Sequence, residues 1–327
     1  MKVLFIGGTG NISTEVSKLC IKKGIDLYLL NRGKRKVEIK GAKNIIADIS
    51  NFKQVDVVLK NHKWDVVVNW IAFNTNDITR DIKRFKNKTK QYIFISSAST
   101  YQKPPEHYII TESTPLENPF WDYSRNKITC ENKLLQAYHK EKFPATIVRP
   151  SHTYDTVFPV AIGGWTEYTI IDRMKKGKKI IVHGDGTSLW TVTHSKDFAK
   201  GFIGLLGNKK AIGDSFQITS DEALTWNQIY QYLAEAAGTT AKMVHIPSDF
   251  ISKVDKTQIG GLLGDKAYSV VFDNSKIKKL VPDFKATIPF REGIKKTLAW
   301  FEEKPERKII NPKTNRMIDK IINAYNK

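Results

Sequence analysis

Met1-Lys2-Val3-Leu4-Phe5-Ile6-Gly7-Gly8-Thr9-Gly10-Asn11-Ile12-Ser13 opens the chain, and its reading decides the fold. A short apolar run passes into glycines and then into an amphipathic helical pattern predicted over residues 12–23. In that context the glycines have a physical task. Gly7 permits a tight turn, and Gly10 lets a ligand come close to the backbone. The unpaired N–H groups and positive end of the following helix then favour a pyrophosphate. The loop therefore predicts Gly7, Thr9, Gly10, Asn11 and Ile12 as dinucleotide contacts; the bland alternative is a plain strand-to-helix turn. Ser13 stands where a third glycine would serve helix–strand packing, and serine is small enough to fit there.

Outward from the loop, the first half alternates β-rich runs with helical stretches, the pattern of a parallel sheet covered on both faces. Strands are predicted at 2–6, 26–30, 44–47, 65–70, 91–96 and 145–149, several as unbroken apolar runs such as Val66-Val67-Val68 and Ile93-Phe94-Ile95. Helices are predicted at 12–23, 52–61, 79–86 and 124–140. The fold class is α/β: a doubly wound Rossmann sheet with a smaller C-terminal α/β part. After Pro150 the pattern loosens into a helix at 165–176, a strand at 179–183, a Gly184-Asp185-Gly186 turn, a strand at 189–193 and a helix at 196–206. A strand at 216–219, a helix at 226–237 and two basic helices at 290–303 and 316–325 follow. The expected division is a dinucleotide-binding domain over 1–155, rejoined by about 189–220, with 156–188 and 221–327 forming a substrate-binding domain.

Composition narrows the class. Hydrophobic residues at 41% and charged residues at 26% are ordinary for a globular protein. No apolar run approaches the roughly 20 residues that cross a bilayer. The N-terminus has no signal-peptide pattern, and two cysteines, Cys20 and Cys130, fall in helical stretches, so the reading is cytoplasmic, without disulfides. The seven histidines show no metal spacing. The net charge of +20 is unusual; it attracts anions, but the lysines are dispersed along the chain, as on a solvated surface.

Cofactor choice is set at the end of the second strand, where a carboxylate normally holds the ribose 2′-hydroxyl. Here the run is Leu30-Asn31-Arg32-Gly33-Lys34-Arg35. Asn31 carries no charge to repel a 2′-phosphate, and Arg32, Lys34 and Arg35 attract one, unless the basic pair 34–35 belongs only to a surface loop. The sequence favours NADP(H), with NAD(H) left open.

Tyr123-Ser124-Arg125-Asn126-Lys127 puts a phenol and an ammonium on one helix face, four residues apart. Such a pair is common on surfaces. It gains meaning from Ser97, at the end of the predicted fifth strand, where a hydroxyl points into the cleft. Moving a hydride to or from a carbinol carbon requires a proton to move on the attached oxygen. Free tyrosine has a pKa of about 10, and bringing it to about 7 takes roughly 4 kcal/mol of phenolate stabilisation. Lys127, together with the positive nicotinamide ring, is expected to supply charge of that sign, and Ser97 to hydrogen-bond the substrate oxygen.

The glycine loop, the Ser-Ser-Ala-x-x-Tyr segment at 96–101 and the Tyr-x-x-x-Lys together resemble the extended short-chain dehydrogenase/reductase family, with its NAD-dependent sugar epimerases and dehydratases. The resemblance covers roughly residues 1–300. It implies catalytic roles for Ser97, Tyr123 and Lys127, with Lys127 also holding the nicotinamide ribose. It further implies that Asp48 and Ile49 contact the adenine, that Trp70 and Ala72 lie along the cofactor, and that Pro150 and His152 sit beside the nicotinamide. Pairing through the helix that carries Tyr123 is common among such relatives, so a homodimer is an expectation.

Two departures bear on the substrate. Relatives acting on nucleotide-sugars carry an arginine after the Gly-Asp-Gly turn, where Trp190 stands here, and an indole cannot replace a guanidinium fork. Dehydratases place an acidic pair after the catalytic hydroxyl, where Ala98 and Ser99 stand. The substrate side is read as Ser97, Ala98, Trp121 and Trp190, with Trp121 and Trp190 equally readable as packing aromatics; the substrate is sugar-like, and dehydration is disfavoured. His152, His183 and His194, near the presumed cleft, read mainly as structural hydrogen-bonders. Two other readings compete. One is RNA binding on the same scaffold, for which plant plastid proteins set a precedent and the +20 charge is suited, although no aromatic-flanked RNA motif occurs. The other is a sensor that binds NADP(H) without turnover.

Overall fold

The computed structural model describes residues 1–34 and 37–327. Arg35, one of the basic residues weighed for the 2′-phosphate, lies outside the described residues.

Seven parallel strands form the central sheet: β1 (Lys2–Ile6), β2 (Asp26–Asn31), β3 (Lys43–Ile46), β4 (Trp64–Asn69), β5 (Thr89–Ile95), β6 (Ala145–Pro150) and β7 (Ser215–Ile218), in the order β7-β6-β5-β4-β1-β2-β3. This order reverses between β1 and β4. At such a switch point the loops leaving the carboxyl ends diverge and open a crevice. The apolar runs explain why the sheet is buried on both faces. Val3, Phe5, Val66, Val68, Ile93 and Ile95 point into one apolar layer, and Leu4, Ile6, Val67, Tyr92 and Phe94 into the other.

Helix α1 (Ser13–Lys22) and the helix Ser195–Ile203 cover the first face through Val16, Cys20, Phe198 and Phe202. Helices α2 (Phe52–Leu59), α3 (Thr75–Phe85) and α4 (Asp122–Glu141) cover the second through Val55, Ile78, Ile82, Cys130 and Leu134. Asn74 caps α3 in a reciprocal capping box with Asp77. A third apolar cluster gathers the elements that follow Tyr154, including Phe158, Ile171, Trp190, Trp226 and Phe301.

Several elements differ from expectation. The strand read at 189–193 is broken at Thr191: Leu189–Trp190 pairs antiparallel with Leu224–Thr225, and Val192–His194 pairs parallel with His152–Tyr154. Of the stretch expected to rejoin the main sheet, only Ser215–Ile218 does so as a strand. The helix read from Trp165 begins at Thr169 instead. Trp165 is drawn away by His152, whose ring it meets at 4.4 Å. Among the described residues no helix is long and apolar enough to cross a membrane.

Candidate active site

A cavity of about 900 Å³ runs along the carboxyl ends of the strands, from Leu30–Lys34 and Ala47–Ser50, past the glycine loop, to Tyr123. Its wall includes nearly all the residues read from the sequence: Gly7, Thr9, Gly10, Asn11 and Ile12 from the loop, and Asn31, Arg32, Asp48 and Ile49 at one end. Trp70, Ser97, Ala98, Trp121, Tyr123, Lys127, Pro150, His152 and Trp190 line the remainder. Ala72 is buried behind the wall and reaches the site through its carbonyl oxygen, which accepts a 2.7 Å bond from Lys127 Nζ.

The loop geometry suits a pyrophosphate. Gly7 has φ +92°, and a Cβ on Gly8 (φ +152°) would stand 2.5 Å from Leu29, so neither turn tolerates a side chain. Ile12 begins α1 without a side-chain cap, which leaves the helix end's N–H groups facing the cavity. Ser13, in the third glycine's place, is buried and accepts a 2.8 Å bond from Gly10 N. Asn11 staples the loop from the other side, donating to Thr153 O at 2.8 Å and accepting from Thr156 N at 3.1 Å. At the far end Asn31 Oδ1 accepts from Gly33 N at 2.9 Å, which holds the turn that presents Arg32 and Lys34. Asp48 is held ionised by hydrogen bonds from Ser50, with Arg32 and Lys34 adding to the effect.

At the chemical end, Ser97 leaves β5 beside Tyr123, close enough for its hydroxyl to favour the phenolate. Behind them runs a chain of hydroxyls: Ser124 Oγ donates to Ser99 Oγ at 2.8 Å, and Ser99 and Ser97 share a bond of 2.9 Å. Lys127 is buried. Its ammonium donates to Ile95 O at 2.8 Å as well as to Ala72 O, and lies 4.7 Å from the ring centroids of both Phe73 and Phe94. The ring of Tyr123 is 5.8 Å away.

The protein's own packing does not by itself acidify the phenol; any lowering has to come with the nicotinamide's charge. Burial, with the Asp265 carboxylate adding to it, pushes the Tyr123 phenol up to about 12, and the Ser97 hydroxyl pulls the other way. Burial likewise brings Lys127 down to about 8. Desolvation outweighs the attraction between the two groups because the ammonium spends its hydrogen bonds on backbone carbonyls.

A pH test follows. The folded ammonium loses its proton near pH 8, and a free one near 10.5. Between those values the unfolded chain binds more protons, so stability rises with pH. Relative to Lys127→Met, the wild type is expected to gain up to about 3 kcal/mol of unfolding free energy from about pH 7 to pH 10.5. Urea titrations of both proteins at the two pH values check this, and a constant difference would show that the ammonium is not desolvated.

Several residues of the wall escaped the sequence reading, Asp265, Lys266 and Trp165 among them. Asp265 and Lys266 come from a single π-helical turn, Leu262–Lys266, and Trp165 from the loop before a helix. The signal available was Gly260-Gly261-Leu262-Leu263-Gly264-Asp265, whose glycines let the turn lie on Trp121: a Cβ at 260 would meet that indole at 2.2 Å, and one at 264 would meet the Trp121 Cβ at 2.9 Å. Trp190 is both core and wall, buried beside Trp226 with rings 6.0 Å apart. Trp121 packs on Tyr123 at 4.9 Å. His183 is structural: its Nε2 donates to Lys266 O at 2.9 Å. His194 Nδ1 accepts from Lys196 N at 3.1 Å and caps the helix Ser195–Ile203.

The model of the NAD dependent epimerase/dehydratase family matches residues 3–219. The chain belongs to that family. It is an enzyme family that works with NAD, and the sheet order and loop described above are its fold. Among curated proteins the chain is similar to the chloroplast stem-loop binding protein of 41 kDa b of Arabidopsis thaliana, 27% identical over 76% of this chain and 67% of that one. It is also similar to a UDP-N-acetyl-alpha-D-glucosaminuronate decarboxylase of Bacillus cytotoxicus, 24% identical over 92% of this chain and 98% of the other. Among solved structures, UDP-glucose 4-epimerase from Bifidobacterium longum, in complex with NAD+ and UDP, superposes with a TM-score of 0.76. It is 18% identical, over 94% of this chain and all of that one.

Proposed function

We propose that this protein transfers a hydride at a hydroxyl- or carbonyl-bearing carbon of a sugar-like substrate, as an epimerase or reductase, with Tyr123 as general acid/base. The observation that carries the reading is the meeting of Ser97, Tyr123 and Lys127 at one end of a cavity whose other end is the glycine loop. A nicotinamide held there supplies or accepts the hydride. Tyr123, protonated across the neutral range, can give its proton to a carbonyl oxygen as that oxygen gains charge. Ser97 Oγ, tied into the serine chain, donates to the same oxygen and stabilises the developing charge. Lys127 fixes the seam between Ala72 and Ile95 and holds positive charge beneath the site. The elements after Tyr154, packed as their own apolar cluster, close the substrate side.

A screen of sugars and nucleotide-sugars with both dinucleotides tests this. Reduction or oxidation changes the reduced-nicotinamide absorbance with turnover, epimerisation interconverts sugars without net change, and no conversion of any kind counts against the reading. RNA binding, suggested by the stem-loop binding relative and the +20 charge, predicts affinity that falls steeply with salt and does not depend on Tyr123.

The cofactor in this reading is NADP(H). Arg32 and Lys34 line the ribose end, and Asn31 brings no repelling charge. Asn31→Asp keeps the acceptor used by Gly33 N and adds a negative charge. It is expected to weaken NADPH binding about tenfold relative to NADH. Fluorescence titration with each dinucleotide measures the ratio; an unchanged ratio removes position 31 from the choice.

A further inference from the structure

The cavity wall opposite the sheet is mostly aromatic, and within it stands a buried ion pair whose partners are neighbours in the chain. Lys266 Nζ lies 2.8 Å from Asp265 Oδ2, 5.4 Å from the ring of Trp165 and 6.0 Å from that of Trp121. Both charged residues are buried, and both line the cavity. In an α-helix adjacent side chains point apart; the wider turn at Leu262–Lys266 brings these two together. The turn is pinned. Asn118 Nδ2 donates to Gly264 O at 2.7 Å and to Ser99 O at 2.9 Å, and His183 holds the carbonyl of Lys266.

The wall has unused donors. An ammonium carries three N–H bonds, and among the described residues Asp265 is the one hydrogen-bond acceptor for Lys266. His152, also in the wall and buried, has both ring nitrogens without a hydrogen-bond partner. It feels the Lys266 charge, which together with burial keeps it neutral. A second buried cation, Lys103, lies within the field of Asp265 and Lys266. Two buried ammonium groups against one carboxylate leave positive charge uncompensated, a costly arrangement that an anion relieves. At the place after the Gly-Asp-Gly turn, Trp190 offers no cation, and its own Nε1 is unpartnered.

We propose that Lys266, delivered by the π turn, is the receptor for an anionic oxygen group of the substrate, phosphate or carboxylate, with His152 as a second hydrogen-bonding partner. The positive charge that position 190 lacks comes from a different element of the chain. Trp121 and Trp165 flank the ammonium and exclude water from it, which strengthens its attraction for an anion. The inference rests on the dinucleotide enzyme reading given above.

The test uses the full chain with NADPH present and three probes: UDP-glucose for a diphosphate, glucuronate for a carboxylate, and neutral glucose. Tryptophan fluorescence follows binding. At least one anionic probe is expected to bind the wild type about tenfold or more tightly than glucose. That advantage is expected to fall at least about tenfold in Lys266→Met and Lys266→Gln and to survive largely in Lys266→Arg. The probe that loses affinity identifies the group as diphosphate or carboxylate. NADPH affinity equal to wild type reports that each variant is folded; should both neutral variants lose it, the wild-type preference and its survival in Lys266→Arg decide. Wild type binding glucose as tightly as both anions, or a folded neutral variant that keeps the anion preference, overturns the assignment. A wild type that binds no nicotinamide dinucleotide instead fails the enzyme reading.

Discussion

Tyr123→Phe is expected to lower turnover by about 10²- to 10⁴-fold while leaving dinucleotide affinity within about twofold. The change deletes one oxygen. The ring stays against Trp121 at 4.9 Å and Phe73 at 6.4 Å, so the wall keeps its shape. Lys127 keeps both backbone bonds, since neither involves the phenol. What disappears is the proton carrier at the substrate oxygen, a role exercised only as the bond to hydrogen is made or broken. kcat and kcat/KM should therefore fall together. Ser97 remains as a hydrogen-bond donor, so some activity should persist. Steady-state kinetics on the best substrate of the screen, with a dinucleotide titration alongside, measure both quantities. Wild-type turnover in the phenylalanine variant would remove Tyr123 from the chemistry.

The site could be read in the sequence to different depths because its parts obey different rules. The loop at Gly7–Gly10 is local: a strand, a turn with positive φ and a helix start leave their mark within a dozen residues. Tyr123 and Lys127 share a helix face by spacing alone, and Ser97 follows from the end of an apolar strand. The unbroken runs Val66-Val67-Val68 and Ile93-Phe94-Ile95 announce strands buried on both faces, and the structure uses them in that way. For Asp265 and Lys266 the glycines at 260, 261 and 264 mark a turn but not its place, which depends on Trp121, well over a hundred residues earlier in the chain. Trp165 looked helical because its apolar neighbours recur at helical spacing, yet contact with His152 outweighed that tendency. Charge was the least legible property. From Tyr123-x-x-x-Lys127 one reads attraction between ammonium and phenol, whereas burial dominates both groups in the fold.

Glu131→Ala is expected to cost about 3–5 kcal/mol of stability, the largest effect of any single change considered. Glu131 lies on α4 one turn beyond Lys127, and its carboxylate is fully buried. It accepts from Arg149 Nη2 at 2.6 Å and Nε at 3.1 Å, and from the Ser96 hydroxyl. Removing it strands a buried guanidinium that keeps the Tyr101 ring at 4.9 Å and a 3.4 Å bond to Glu112 O but loses its salt-bridge carboxylate. The cost comes from the orphaned charge, so Glu131→Leu combined with Arg149→Met should recover most of it. Urea midpoints of the two single variants and the double variant settle this; equal losses in all three would mean that burial of the pair is not the cause. With Ser96, just past β5, the pair also ties the segment leading to Ser97 to α4 and β6, which carry Lys127 and Pro150. The folded double variant should accordingly lose kcat more than dinucleotide affinity. The glycine loop lies on other elements and keeps its geometry, whereas Ser97 and Tyr123 lose the fixed spacing that proton transfer to a single oxygen demands.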